Sequence, residues 1–369
     1  MIFKTAQYES RTNSSAITVT RRSDLSFFYK ILRTVIRPLR PRLIAPNRQH
    51  PAGPPRLQKR PTHLGNVTIT ERAVLIPPED YLHEPGSSFA PKTDNLWVYD
   101  FDPLDESCPS RHSSPYVRTT HTVYYFPGGG FQAPASFEHW KFCAHLASAL
   151  YPSGCRIVLV SYSLAPNSPA RTTLPLLQRW LTQALQVAAA EDTIVSLAGD
   201  SSGANVALSL GLWYADQLAT ADRRAPDFCA LARLRSVLAI SPPTDLRNAN
   251  PGISAADKND PVLGRRLADR AARAWAAGAD VRHPYLSPRL TGLANLRAAG
   301  VQVNGVFGTA DVLAPDALAF LEKCMWAGVS GKWLVWDGQM HCFPLASCYG
   351  LREGREGREW VVDVLRGVA

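Results

Sequence analysis

A serine framed by glycines, Gly199-Asp200-Ser201-Ser202-Gly203, is the stretch of this chain best equipped for chemistry. It follows a β-branched and apolar run, Thr193 to Ala198, and precedes helix formers from Ala204 to Leu210. Strand, tight turn and helix therefore come in the order that exposes a serine hydroxyl at the rim of a sheet. Such a turn holds its central residue in a strained backbone conformation, and glycines on either side let backbones pass where a Cβ would collide. A serine hydroxyl is a weak nucleophile at neutral pH. It needs a base within hydrogen-bond reach and a third group that orients the base.

Among nine histidines, His341 has the best placement, in Asp337-Gly338-Gln339-Met340-His341, just past the apolar run Trp333 to Trp336. Asp311 stands in the same way after the run Val301 to Phe307, with Asp316 and Asp337 as competing acids. Functional residues of open α/β sheets gather at the carboxyl ends of strands, and Ser201, Asp311, His341 is the chain order such a triad takes on this architecture. His121, His139, His145 and His283 lack that placement and read as packing or surface residues. An oxyanion formed at the attacked carbonyl needs preorganised N–H donors, each worth on the order of 3 kcal/mol. Pro127-Gly128-Gly129-Gly130-Phe131 follows another β run, so the N–H groups of Gly129 and Gly130, with that of Ser202, form the expected oxyanion hole.

These residues must be carried by a scaffold, and the rest of the chain alternates strand-like with helix-like runs, the pattern of an α/β fold with a mainly parallel sheet. About eight strands are expected: Val67 to Ile76, Leu96 to Tyr99, Thr120 to Phe126, Arg156 to Tyr162, Thr193 to Ala198, Ser236 to Ile240, Val301 to Phe307 and Trp333 to Trp336. Helices are expected over Phe137 to Leu150, Thr173 to Ala189, Gly203 to Leu218, Ala314 to Ala327 and Arg358 to Val368. Residues 246–282 interrupt the rhythm. Leu263, Leu267, Ala271 and Trp275 share a helical face there, which predicts a helical cap insertion. At the other end, Leu25, Phe28, Leu32 and Val35 recur at helical spacing, so residues 24–37 read as an amphipathic helix capped by Asp24 and stopped by Pro38, docked on the domain that follows. From Pro38 to Pro61, proline and arginine argue for an extended connector. The division is thus a basic arm with its cap helix over 1–62 and a catalytic domain over 63–369.

The chain has 369 residues, 46% hydrophobic and 19% charged, enough for a large soluble core. Its net charge of +9 is concentrated at one end: residues 1–60 hold 13 Lys and Arg against Glu9 and Asp24, a balance of +11 that leaves −2 for the remainder. A nucleic-acid binder is disfavoured, because the body would not attract a phosphate backbone. The arm instead allows peripheral membrane contact. The first 20 residues lack the apolar core of a secretory signal; Arg and Ser are abundant enough for a mitochondrial presequence, though Glu9 and Asp24 intrude. Seven scattered cysteines without paired CxxC spacing suggest free thiols in a reducing compartment, hence a cytoplasmic setting.

With Pro127-Gly128-Gly129-Gly130, Gly199-Asp200-Ser201-Ser202-Gly203, Tyr162-Ser163-Leu164-Ala165-Pro166, Asn205 and Ser287-Pro288 in view, the chain resembles the hormone-sensitive-lipase-like branch of the α/β-hydrolase superfamily from about residue 65 onward. The resemblance implies an α/β-hydrolase fold and hydrolysis of small-molecule carboxylic esters without metal or organic cofactor. It also implies a cap partly built from N-terminal helices. The family's histidine before the glycines is Pro127 here, and Ser202 and Ala204 replace its alanine and glycine. Phe131, Phe28 and Trp275 are the expected pocket walls. Two other functions share this equipment: transfer of the acyl group to another acceptor, with lactone or cyclisation chemistry, and non-catalytic binding of a small molecule.

Overall fold

The computed structural model describes residues 16–40, 50–77, 94–104, 117–221 and 232–368. Its strands are β1 (Ile17–Arg22), β2 (His63–Leu64), β3 (Val67–Ile76), β4 (Asp94–Pro103), β5 (His121–Phe126), β6 (Cys155–Ser161), β7 (Ile194–Asp200), β8 (Leu234–Ile240), β9 (Gln302–Gly308) and β10 (Gly331–Trp336). The α-helices are α1 (Phe27–Ile36), α2 (Phe137–Leu150), α3 (Ala170–Ala190), α4 (Ser201–Thr220), α5 (Ile253–Asp257), α6 (Arg265–Ala276), α7 (Ala294–Ala298), α8 (Ala314–Ala327) and α9 (Arg352–Arg366).

All ten strands form one sheet in the order β1-β10-β9-β8-β7-β5-β6-β4-β3-β2. The pairings β2-β3, β3-β4 and β4-β6 are antiparallel and the rest parallel. Every residue of β5 is buried, as expected of a central parallel strand covered on both faces. Side chains alternate between two cores. Val158 and Val160 of β6 face α3, α4 and α8 through Leu177, Trp180, Leu208 and Phe320, while Ile157 and Leu159 face α2 and α9 through Trp140, Phe142, Val361 and Leu365.

The sheet is mostly parallel, as the alternation predicted, but the described residues supply ten strands rather than about eight. The additions sit at its two edges: two-residue β2, and β1, which extends the sheet by pairing in parallel with β10. Ile17-Thr-Val-Thr alternates like a strand, yet its setting in a charged, Ser/Thr-rich arm hid it. The predicted helix in the arm exists over 27–36 with two corrections. Its N-cap is Ser26, whose Oγ accepts from the Tyr29 N–H; Asp24 instead receives Arg22 and supplies its carbonyl to Trp336 Nε1. Its packing face is Tyr29, with Leu32, Ile36 and the preceding Leu25, whereas Phe28 and Val35 are exposed. The connector residues 50–62 form no helix or strand, residues 41–49 lying outside the described residues. The last helix starts at Arg352, earlier than expected, because Glu353, Gly354 and Gly357 turn inward. Cys143, Cys155, Cys324, Cys342 and Cys348 are free thiols, while Cys108 and Cys229 lie outside the described residues.

Candidate active site

Strand β7 ends at Asp200 and α4 begins at Ser201, which has φ 49°, a left-handed conformation that costs a non-glycine residue on the order of 1–3 kcal/mol. The flanking glycines make the turn feasible. A Cβ on Gly199 would lie 2.6 Å from the Gly203 carbonyl carbon and 2.7 Å from the Phe126 oxygen, and one on Gly203 would collide with the same oxygen. Ser201 is thereby held at the N-terminus of a 20-residue helix, where unpaired N–H groups and the helix dipole favour negative charge.

His341 and Asp311 arrive from the loops after β10 and β9. His341 Nε2 lies 2.9 Å from Ser201 Oγ and its Nδ1 lies 2.9 Å from Asp311 Oδ2. An ionised carboxylate only accepts, so Nδ1 carries the proton and Nε2 is free to take the serine's. Burial opposes a charged imidazole, but the fully buried Asp311 carboxylate outweighs it and holds His341 well above its ordinary value. Asp311 is itself fixed by the Leu313 N–H, which donates to Oδ1 at 2.8 Å. Of the competing acids, Asp316 sits inside α8 with Arg289 3.6 Å away, and Asp337 follows the end of β10. Cys342, at φ 51°, places Sγ 3.4 Å from His341 Nε2, and burial pushes its thiol up to about 12.

The glycine loop follows β5. Gly129 has φ 136° and Gly130 φ 61°, conformations that favour glycine, and a Cβ at Gly129 would come 2.5 Å from the Ala133 oxygen. The N–H groups of Gly129 and Gly130 make no hydrogen bond among the described residues, and that of Ser202 belongs to the first helical turn, where no intrahelical partner exists. All three are available as donors.

What anchors this loop escaped the sequence reading. Asp200 Oδ1 accepts from the Gly128 N–H at 3.0 Å and from Tyr125 Oη at 2.8 Å, and His139 Nε2 stands 3.1 Å away. The Ser136 N–H donates to His139 Nδ1 at 2.9 Å, so a neutral His139 has its proton on Nε2, aimed at Asp200. Burial penalises the Asp200 charge, but His139, Tyr125 and Gly128 together hold the carboxyl below its ordinary range. His139 is therefore more than packing: it ties helix α2 to the residue preceding the nucleophile. The Tyr162 hydroxyl completes the support, donating to the Pro127 carbonyl at 3.0 Å. The signal in the sequence was the Asp beside Ser201, but nothing local pairs it with a histidine 61 residues earlier.

Of the expected pocket walls, Phe131 and Trp275 are brought together, stacked with ring centroids 4.6 Å apart, and both are buried. Phe28 is not with them; it is 64% exposed on the outer side of α1. His121 bonds Ser196 and His145 Nε2 lies 2.9 Å from the Glu359 carboxylate, both away from the triad, and His283 stacks edge-on against Tyr285. Asn205 Nδ2 donates to the carbonyls of Pro243 and Leu286, and Ser287 Oγ accepts from the Leu246 N–H, so both brace the loops beyond β8.

Two further residues reach the catalytic loops. Asp260, from the segment between β8 and β9, accepts from the Val312 N–H at 2.9 Å, and burial together with the Asp311 carboxylate pushes it up to about 6. Tyr29 of α1 accepts from the Met340 N–H at 2.8 Å, one residue before His341. No group of three or more His, Cys, Asp or Glu among the described residues converges in a way that could hold a metal ion.

A serine, an aspartate and a histidine at the carboxyl ends of the parallel strands β7, β9 and β10, with the serine on a strand-to-helix elbow, define an α/β hydrolase. A family model described as alpha/beta hydrolase fold matches residues 123–345, more than half of the chain, and the protein belongs to that family. It is 24% identical over 232 residues to an esterase of Acinetobacter venetianus, covering 62% of this chain and 70% of that one. Carboxyl esterase 2 of the fungus Tuber melanosporum superposes with a TM-score of 0.69 at 16% identity, over 94% of this chain and 99% of that one. An esterase/lipase from an uncultured bacterium gives 0.63 at 18% identity, over 93% and 99%. At such identities these two structures establish a shared fold.

Proposed function

We propose that the protein is a serine carboxylesterase acting on small-molecule esters, with Ser201 as nucleophile, His341 as general base and Asp311 as its orienting acid. The observation that carries this reading is the unbroken relay from Ser201 Oγ through both imidazole nitrogens to Asp311, each step 2.9 Å. His341 Nε2 takes the Ser201 proton as Oγ attacks the ester carbonyl, and the N–H groups of Gly129, Gly130 and Ser202 receive the oxyanion. The imidazolium returns the proton to the departing alkoxide. Water, deprotonated by the same nitrogen, then releases the acid and restores Ser201.

The segment 246–282 and helix α1 of the arm act as a cap over the catalytic domain. Arg40 supports this, since its Nη1 donates to the carbonyls of Asp257 and Asp260, tying the end of the arm to the inserted segment. Trp275 of α6 supports it too, by stacking on Phe131 directly after the oxyanion glycines. A fluorophosphonate probe labels the native protein at Ser201 and leaves Ser201→Ala unlabelled; labelling of that variant at the native rate would refute the assignment.

A further inference from the structure

Helix α1 carries apolar side chains that the fold does not bury. At about 100° per residue, Leu32, Ile36 and Tyr29 cover one arc, which packs against the core. Phe27, Ile31, Val35 and Phe28 cover the adjoining arc, and these are exposed by 79%, 47%, 59% and 64%, with Leu39 just beyond at 45%. A contiguous apolar patch rimmed by polar groups marks an interaction surface. Residues 27–40 contain four cations and neither Asp nor Glu; Arg33 is engaged by the Gly338 carbonyl and Arg40 by Asp257, which leaves Lys30 and Arg37 as the charges beside the patch. Arg33, Arg37 and Lys258 line a shallow cleft at the edge of the patch.

We propose that this outer face of α1 docks on an anionic lipid surface, with the aromatic and aliphatic side chains in the headgroup boundary and Lys30 and Arg37 against lipid phosphates. The proposal rests on the esterase reading only in its consequence, that esters held in such a surface are presented to the triad. The helix is ten residues long and cannot cross a bilayer, and no helix among the described residues is long and apolar enough to do so; a short amphipathic helix with basic flanks lies in the interface plane. A second copy of the chain fits worse, because a two-fold contact through this patch would set like cations against one another. The location matters for catalysis. The inner side of the same helix holds the loop before His341, through Tyr29 to Met340 and Arg33 to the Gly338 carbonyl, so the docked face and the face that holds the catalytic loop are adjoining arcs of a single helix.

The test is co-sedimentation of the full chain with phosphatidylcholine vesicles, alone and with about 30 mol% phosphatidylglycerol. The parent is expected to bind the anionic vesicles and not the neutral ones. The triple variant Phe27→Ser, Ile31→Ser, Val35→Ser and the double variant Lys30→Glu, Arg37→Glu should each weaken binding by roughly tenfold or more, and removal of residues 1–15 should leave it in place. Turnover of a water-soluble short-chain ester and labelling of Ser201 stay unchanged in both variants, which shows that they fold. Equal binding by parent and variants overturns the proposal, as does a parent that binds neither vesicle. So does a concentration-dependent dimer that the triple variant abolishes, which would give the face to a second copy. Vesicle binding as described by a parent that hydrolyses no ester would keep the docking and remove the esterase reading instead.

Discussion

The turn carrying Ser201 and the helix lying beside the His341 loop solve opposite problems. At the turn, Gly199 and Gly203 touch neighbouring backbone, Asp200 and Ser202 are buried, and the Asp200 carboxylate is held by Tyr125, Gly128 and His139. In α1, one half of an apolar stripe packs and the other half faces outward. The contrast teaches that chemistry here is held by packing on every side, while the arm, tied to the domain by β1 and by bonds from Asp24, Ser26 and Tyr29, keeps apolar surface in reserve. Breaking the first region should therefore abolish turnover, and breaking the second should tune it.

The largest effect belongs to Ser201→Ala. With the nucleophile gone, kcat falls by about 10⁶-fold while the thermal midpoint holds or rises, since the strained φ of 49° suits no serine-specific contact except the bond to His341. Next comes Asp311→Asn, expected to lower kcat by about 10⁴-fold by leaving His341 in the wrong tautomer. It also moves the pH profile. Asp311 holds His341 above its ordinary value of 6.5, so in the parent the acid limb of kcat/KM lies above that pH, and in the variant it moves down. The sign for stability follows: a raised histidine contributes below its unfolded value, and that contribution is lost as pH rises through the folded one. Urea melts from pH 5 to 9 check this, with the parent's advantage over Asp311→Asn shrinking toward the alkaline end.

His139→Ala sharpens the comparison from inside the catalytic region. It leaves a buried Asp200 charge without its imidazole and loosens the bond from Gly128, so we expect kcat to drop about 10²-fold, the scale of one oxyanion donor, with KM little changed. Stability falls by about 3 kcal/mol, as when one partner of a buried pair is removed. Adding Asp200→Asn removes the stranded charge while an amide oxygen still accepts from Gly128, so the double variant recovers part of both losses. A double variant no better than His139→Ala would show that the histidine works by packing alone.

How much of this was legible depended on how local the cause is. The elbow, the glycine loop and the strands β3 to β10 announce themselves in short runs, because β-branched patches and glycines act through their immediate neighbours. Ser201, Asp311 and His341 could be picked out because each sits just past a recognisable strand. His139 could not, since its importance comes from a contact made only when α2 packs across β4 and β6 and its first turn reaches the residue that ends β7. Asp260 was hidden likewise, inside a segment read for its helical face. The arm misled in a different way: periodicity found an apolar stripe in residues 24–37 without saying which half would be buried, and Phe28 was given to the pocket when Tyr29, one residue on, faces inward. Edge strand β1 is not legible because its pairing with β10 is decided 314 residues later in the chain, Ile17 lying opposite Gly331.

Tyr29→Phe tests the junction between the two regions and should have the smallest effect. The ring stays buried, so the apolar packing is kept, but the Met340 N–H loses its acceptor at 2.8 Å in a buried setting. An unsatisfied buried donor costs about 1–3 kcal/mol, and part of that is recovered as the loop shifts toward water. The shift carries His341, one residue on, away from Ser201. We therefore expect kcat to fall a few-fold with stability lowered by about 1 kcal/mol, measured by steady-state kinetics alongside urea melts. A variant with full activity and reduced stability would mean that α1 holds the loop without setting the base, and the arm would then be separable from catalysis altogether.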